Sequence, residues 1–244
     1  MGTSSEIIFN EIRALRDIDF ASRSQIERSR IKPLTVVRVG TSGSISGDNL
    51  GSIVVSNYAC DFTGVSSSKV HKFNSNELVL AVELNDYLKT KRLEAARSRA
   101  ENPLTIVHTQ ARPYMVDSSV LEKIENLASK MNIPIIKGMT ASAAGFFNNQ
   151  GRDLFATSTD DLAFGIPMDE VLRKFIGPNG EKFANFEMEA AILQSVFRDS
   201  VHTSATICVA VANRVDNTFS HSDLTSQAID NAGKLALALM LDKE

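Results

Sequence analysis

Short β-branched runs alternate along this chain with stretches that place apolar residues at helical spacing, and this alternation constrains the fold most. Residues 34–39, 52–59, 133–137 and 205–212 read as strands, the last a continuous apolar run that stops at Asn213-Arg214. Residues 104–108 read as a further short strand. Helical spacing runs over 6–18 (Ile8, Ile12, Leu15, with Ser4 or Ser5 as cap) and over 77–99 (Leu78, Val82, Tyr87, Leu88). A capping box, Ser119-Val120-Leu121-Glu122, opens a helix carrying Leu121, Ile124 and Ala128. A short amphipathic helix over 169–175 follows, and a last helix from Ser222-Asp223 buries Leu224, Ala228, Leu235 and Leu239. Such alternation predicts an α/β fold with a mostly parallel sheet flanked by helices. The 244 residues show no internal repeat, and one domain over 1–244 accounts for them.

Charge limits the partners. The net charge of -3 comes without a basic run, which argues against nucleic acid or an anionic membrane. No signal-peptide pattern or membrane-length apolar run is present, so the expected location is the cytoplasm. Cys60 and Cys208 sit in separate apolar runs outside any metal-ligand spacing, and read as reduced core thiols.

Four stretches carry chemistry. In Arg38-Val39-Gly40-Thr41-Ser42-Gly43, a glycine-rich turn follows a strand, where open α/β sheets bind ligands. Its Arg38 interrupts an apolar run and requires an anion, whether a ligand or a structural carboxylate. In Asn185-Phe186-Glu187-Met188-Glu189, two carboxylates flank a thioether. A carboxylate accepts two hydrogen bonds side by side, which suits a vicinal diol, and a thioether packs under a sugar ring. The same stretch also reads as the acidic start of a helix. Between Phe146 and Arg152, Gln150 and Arg152 point the same way on an extended segment. A glutamine amide matches a pyrimidine imide edge, arginine adds fixed donors, and Phe146 offers a stacking face. A polar surface loop with one buried aromatic is the plainer alternative. The fourth stretch is Val211-Ala212-Asn213-Arg214.

Together these stretches resemble the nucleoside phosphorylase family that includes uridine phosphorylase, over nearly the whole chain. The resemblance implies a three-layer α/β/α, phosphorylase/hydrolase-like fold with a mixed, mostly parallel central sheet. It implies phosphorolysis of uridine to uracil and ribose 1-phosphate, with inorganic phosphate as co-substrate and neither metal nor organic cofactor. Arg38, Gly40 and Thr41 would hold phosphate. Thr41, Glu187, Met188 and Glu189 would hold ribose, and Ser42, Gly43, Phe146, Gln150, Arg152 and Arg214 would surround the base. The catalytic set would be Arg38, Thr41, Gln150, Arg152 and Glu189. Purine-specific relatives place an aspartate after the strand that here ends in Asn213-Arg214, so the pattern favours a pyrimidine. A homo-oligomer, from dimer to hexamer, is the family habit. Family chains also open with strands bearing a Gly-Asp-Pro-x-x-Arg phosphate loop, a motif this sequence lacks. The expectation is therefore a shortened domain with part of the phosphate site missing and a sheet edge left open. A non-catalytic or hetero-oligomeric homologue, a purine nucleoside phosphorylase or nucleosidase, and a hydrolase using water are the alternatives.

Overall fold

Strand Ile53–Asp61 spends its first half beside one neighbour and its second half beside another, and this change of partner shapes the sheet. The computed structural model describes residues 2–47, 50–68, 71–98, 110–144, 166–220 and 222–242. The helices are α1 (Gly2–Asp17), α2 (Ser75–Ser98), α3 (Ser118–Lys130), α4 (Met168–Lys174), α5 (Ala190–Phe197) and α6 (Ser222–Leu241). The strands are β1 (Ile18–Asp19), β2 (Ser24–Gln25), β3 (Thr35–Ser44), β4 (Ile53–Asp61), β5 (Arg112–Met115), β6 (Ile135–Ser142), β7 (Phe183–Glu187), β8 (Thr203–Asn213) and β9 (Thr218–Phe219). β1 and β2 form a separate small hairpin, and the others follow the order β5-β4-β6-β7-β3-β8-β9 with a further pairing of β4 to β8. That pairing closes β4, β6, β7, β3 and β8 into a ring.

The sheet is mixed, as expected, but it closes on itself through five strands instead of lying as the flat middle of three layers. β3–β8, β4–β6 and β6–β7 are parallel, whereas β3–β7, β4–β5, β4–β8 and β8–β9 are antiparallel. Bulges make closure possible by bending a strand and raising its twist. Asn57 is the extra residue where β4 stops following β8 and starts following β5. Ala184 on β7 and Val211 on β8 are extra in the same sense. No stretch of hydrophobic periodicity announces a bulge, which is why closure was invisible to the pattern of strands and helices.

Two cores cover the sheet. Leu80, Leu84 and Leu88 of α2 and Leu172 of α4 pack with Met139, Phe183 and Phe186. α3 and α6 bury Ile124, Ala128, Ala232 and Leu235 against Ile53, Val55, Ile207 and Val209. A third cluster joins Phe9 and Ile12 of α1 to Ile192 and Val196 of α5. Several apolar stripes therefore differ from their expected faces: Ile8, Leu15, Leu78, Val82 and Leu224 are exposed. In α1 the helix rotation is fixed by polar contacts, with Arg13 donating to the Val196 carbonyl at 2.6 Å and Asp17 meeting His202 Nε2 at 2.8 Å. α1 also begins at Gly2, so Ser4 and Ser5 lie inside it. α3 is capped by Asp117, whose carboxylate accepts from the Ser119 N–H at 2.8 Å, two residues before the expected box. Residues 104–108 and Asp48-Asn49 lie outside the described residues. No helix among the described residues is long and apolar enough to cross a membrane.

One edge of the sheet is covered. β5 is one of the two terminal strands of the sheet, and the Met115 N–H on its outer side donates to Glu77 Oε1 at 2.8 Å. Pro113, two residues back, has no N–H to offer on that side. Asn85 engages both polar groups of the Ala111 backbone at 2.9 Å, as a neighbouring strand would.

Glu77 does more than guard this edge. It closes a reciprocal capping box with Asn74 at 2.8 and 2.9 Å and takes both Nη groups of Arg198. Its side chain is fully buried, so truncation strands a guanidinium and two backbone N–H groups. Glu77→Ala is expected to lower unfolding free energy by roughly 3 kcal/mol, read as a shifted midpoint in chemical denaturation.

Candidate active site

Carboxyl ends converge at one place. β3 and β7 run antiparallel but overlap only at their carboxyl ends, through Gly43↔Phe186 and Ser44↔Asn185. β8 runs parallel to β3 and β6 parallel to β7, so both also end here. The result is a cavity of about 260 Å³ lined by Arg38, Thr41, Ser42, Gly43, Glu187, Met188, Glu189 and Arg214. Phe186, Val211, Ala212 and Phe219 complete its wall. Larger hollows exist, such as one of about 580 Å³ beside α2. This one combines a guanidinium paired with two carboxylates and an apolar wall, and chemistry rather than volume marks it.

The segment from Gly40 to Ser44 is strand, not the expected turn. Its glycines serve a different purpose. A Cβ on Gly40 would sit 2.9 Å from the Arg38 guanidinium, and one on Gly43 only 2.4 Å from Arg214 Nε. Each glycine makes room for an arginine lying across the strand. The Val211 bulge brings Arg214 into place by shifting the register so that Gly43 faces Ala212.

The acidic stretch divides between two elements. Asn185, Phe186 and Glu187 end β7, and Glu189 is the residue before α5. Glu189 does not cap α5 with its side chain. Glu187 does: its Oε2 accepts from the Glu189 and Ala190 N–H groups at 2.8 and 2.9 Å. Its Oε1 accepts from the Ser142 hydroxyl, whose oxygen in turn accepts from the Ala191 N–H at 2.9 Å. Arg38 Nη1 lies 3.2 Å from Glu187 Oε2, and Arg38 Nη2 donates to Glu189 Oε2 at 2.5 Å. Glu187 is therefore saturated and buried, while Glu189 keeps 17% of its side chain exposed toward the pocket.

Electrostatics follow from burial. Desolvation pushes the Glu187 carboxyl up, with Arg38 and the Ser142 hydroxyl pulling the other way. Burial disfavours the Arg38 cation, yet the carboxylates of Glu187 and Glu189 beside it hold it firmly protonated. Cys208 accepts from Arg38 Nη1 at 3.3 Å, and burial raises its thiol to about 12, so it is neutral at physiological pH. Both cysteines are free and buried.

Behind the pocket, a buried polar chain stitches four adjacent strands. Ser56 Oγ meets Thr140 Oγ1 at 2.6 Å, Thr140 donates to Asn185 Oδ1 at 2.8 Å, and Asn185 Nδ2 donates to Ser42 Oγ at 2.9 Å. Fully satisfied networks of this kind rigidify the groups they reach.

The structure thus brings together Arg38, Gly40, Thr41, Ser42, Gly43, Glu187, Met188, Glu189 and Arg214. Phe146, Gln150 and Arg152 lie outside the described residues. Sequence reasoning gave no site role to Ser142, Cys208 or Phe219, and named Asn185 only as the start of the acidic stretch. Among the described residues, no cluster of three or more His, Cys, Asp or Glu side chains suits a metal ion. Chemically, the cavity offers a cation for an anion, a carboxylate with spare acceptor capacity for hydroxyl donors, and an apolar flank.

A family model described as the phosphorylase superfamily matches residues 1–241. No curated protein matches the chain. Among solved structures, a Trypanosoma brucei nucleoside phosphorylase reported to show uridine phosphorylase activity is similar at a TM-score of 0.78 and 20% identity, over 98% of this chain and 76% of that one. Isoform 2 of uridine phosphorylase from Schistosoma mansoni is similar at 0.58 and 17%, over 96% and 64%. Purine nucleoside phosphorylase from Toxoplasma gondii, solved with immucillin-H, is similar at 0.54 and 13%, over 84% and 62%. The chain thus spans about three quarters of the first and less than two thirds of the other two.

Glu187 holds α5, β6 and β3 together, so the loss of its acceptors differs from the loss of its charge. Glu187→Ala is expected to cost about 2–4 kcal/mol of unfolding free energy. Glu187→Gln, which keeps one acceptor oxygen, is expected to cost less. Denaturant titration of both variants checks the ranking.

Proposed function

The chain belongs to the phosphorylase superfamily, and on that premise we propose that it cleaves pyrimidine nucleosides with phosphate, converting uridine to uracil and ribose 1-phosphate. The observation that carries the reading is the meeting, in one cavity, of the Arg38 cation with the Glu189 carboxylate 2.5 Å away. Arg38 would bind the attacking phosphate and Glu189 the 2′ and 3′ hydroxyls of ribose, so the two ligands share one lock. Thr41 and the backbone at Gly40 would join the phosphate, Met188 would lie along the sugar, and Ser42, Gly43 and Arg214 would border the base.

A phosphate oxygen attacks C1′ while the bond from C1′ to the base nitrogen breaks, and its electron pair leaves on the base. The sugar passes through an oxocarbenium-like state. Arg38 serves by orientation, fixing the nucleophile against C1′. Donors toward the base oxygens would stabilise the departing charge, each worth roughly 3–4 kcal/mol when well placed. Gln150 and Arg152 are the residues proposed for that task, and their spacing together with Asn213-Arg214 is what favours a pyrimidine. Glu187 acts at one remove, anchoring Arg38 and the start of α5. Phosphate is the proposed co-substrate, with no cofactor. The proposal extends to a closed homo-oligomer, supported by Ile7, Ile8 and Leu15 exposed on α1 and Leu237, Met240 and Leu241 exposed on α6.

Purified protein is expected to release uracil from uridine only when phosphate is present, and to act far more slowly on inosine. Release without phosphate would mean hydrolysis, faster turnover of inosine would mean a purine enzyme, and no release would mean a non-catalytic homologue. In the active case, Gly40→Ala, which pushes the Arg38 guanidinium from its seat, should raise KM for phosphate roughly ten-fold with a smaller effect on uridine.

A further inference from the structure

Phe219 has an unusual position for a large apolar side chain. It is 60% exposed, yet it lines the same cavity as Arg38 and Glu189. It makes no ring contact among the described residues and belongs to none of the buried clusters. Its strand, β9, is two residues long and pairs with the end of β8 through Ala212↔Phe219 and Asn213↔Thr218. The intervening turn is fixed by its own polar groups. Asp216 accepts from the Thr218 N–H at 3.0 Å and its hydroxyl at 2.6 Å, and Asn213 Oδ1 accepts from the Val215 N–H at 2.9 Å. Asn217 takes the left-handed conformation at φ 56 that the turn needs. The chain thus orders a short hairpin that presents an aromatic ring to a cavity.

The register locates that ring within the cavity. Gly43, Ala212 and Phe219 form one row across β3, β8 and β9. The Arg38 guanidinium lies over Gly40, three residues back along β3. Three residues of extended chain span roughly 10 Å, a length that a pentose and a planar ring fill together. Arg38 and Glu189 give the cavity its charged pair, Arg214 lies over Gly43 in the row that Phe219 joins, and Phe186, Val211, Ala212 and Phe219 supply apolar surface. A flat, weakly polar ring is the ligand group that gains most from an exposed aromatic face.

We propose that Phe219 is a substrate-contacting residue whose ring covers the planar base of a nucleoside bound between Arg38 and Glu189. This rests on the reading of the cavity as a nucleoside site. It adds a base-contacting group on β9, separate from the segment that carries Phe146.

The chain contains no tryptophan, so Phe219→Trp installs a single fluorophore at the proposed contact. Uridine titrated into this variant should quench its emission, saturating at the dissociation constant that calorimetry gives for the same protein. Phe219→Ala should raise KM for uridine at least about five-fold while leaving KM for phosphate within about two-fold, and Phe219→Tyr should restore it. Calorimetric saturation by uridine without any change in tryptophan emission would overturn the assignment, as would an unchanged KM in Phe219→Ala. Failure of the unmodified protein to bind uridine at all would instead overturn the nucleoside reading, and the role of Phe219 with it.

Discussion

The carboxylate of Glu187 is the point on which the site depends. It ends β7, caps α5, takes the hydroxyl of Ser142 from β6 and stands beside Arg38 from β3. A buried carboxylate is costly unless its acceptor positions are filled. Here two helix N–H groups, a hydroxyl and a guanidinium fill them, and the positive end of the helix dipole adds to their effect. Because Glu187 satisfies the start of α5, Glu189 is released from capping and can turn its carboxylate to the pocket. Because Glu187 shares Arg38, that side chain is fixed in position before any ligand arrives. One acid holds the other acid and the arginine in place at the cavity.

Closure of the sheet makes this arrangement possible. An open parallel layer would carry its carboxyl ends along a line. The ring of β4, β6, β7, β3 and β8 brings the ends of β3 and β7 together head to head. The bulges at Asn57, Ala184 and Val211 bend strands at the places where partners change or side chains must be re-aimed. The chain from Ser56 to Ser42 then ties the strands beneath the pocket, and Glu77, Asn85 and Pro113 close the outer edge.

Much of the pocket was legible in residue types. An arginine inside an apolar strand needs an anion, and in the structure it has two; an acidic pair around a methionine lines a cavity. What the sequence hid was geometry. Gly40 and Gly43 suggested a turn because glycine usually signals backbone freedom, whereas here the missing Cβ matters and the backbone is ordinary strand. β7 looked like a helix start because its five residues run directly into α5, and period-2 alternation cannot establish itself in so short a run. β5 was hidden by Pro113, a residue that argues against a strand unless it lies on an edge. The apolar stripes of α1 and α2 were misjudged because Arg13, Asp17 and Glu77 set the helix rotations through long-range polar contacts that spacing alone does not encode.

The central claim is that one cavity holds an anion at Arg38 and a sugar diol at Glu189. A crystal structure of the protein with ribose 1-phosphate tests it most directly. The account predicts phosphate oxygens within hydrogen-bond distance of the Arg38 guanidinium and both sugar hydroxyls on the Glu189 carboxylate, with Glu187 unmoved on α5. Ligand bound in another cavity, or bound here with its phosphate away from Arg38, would contradict it.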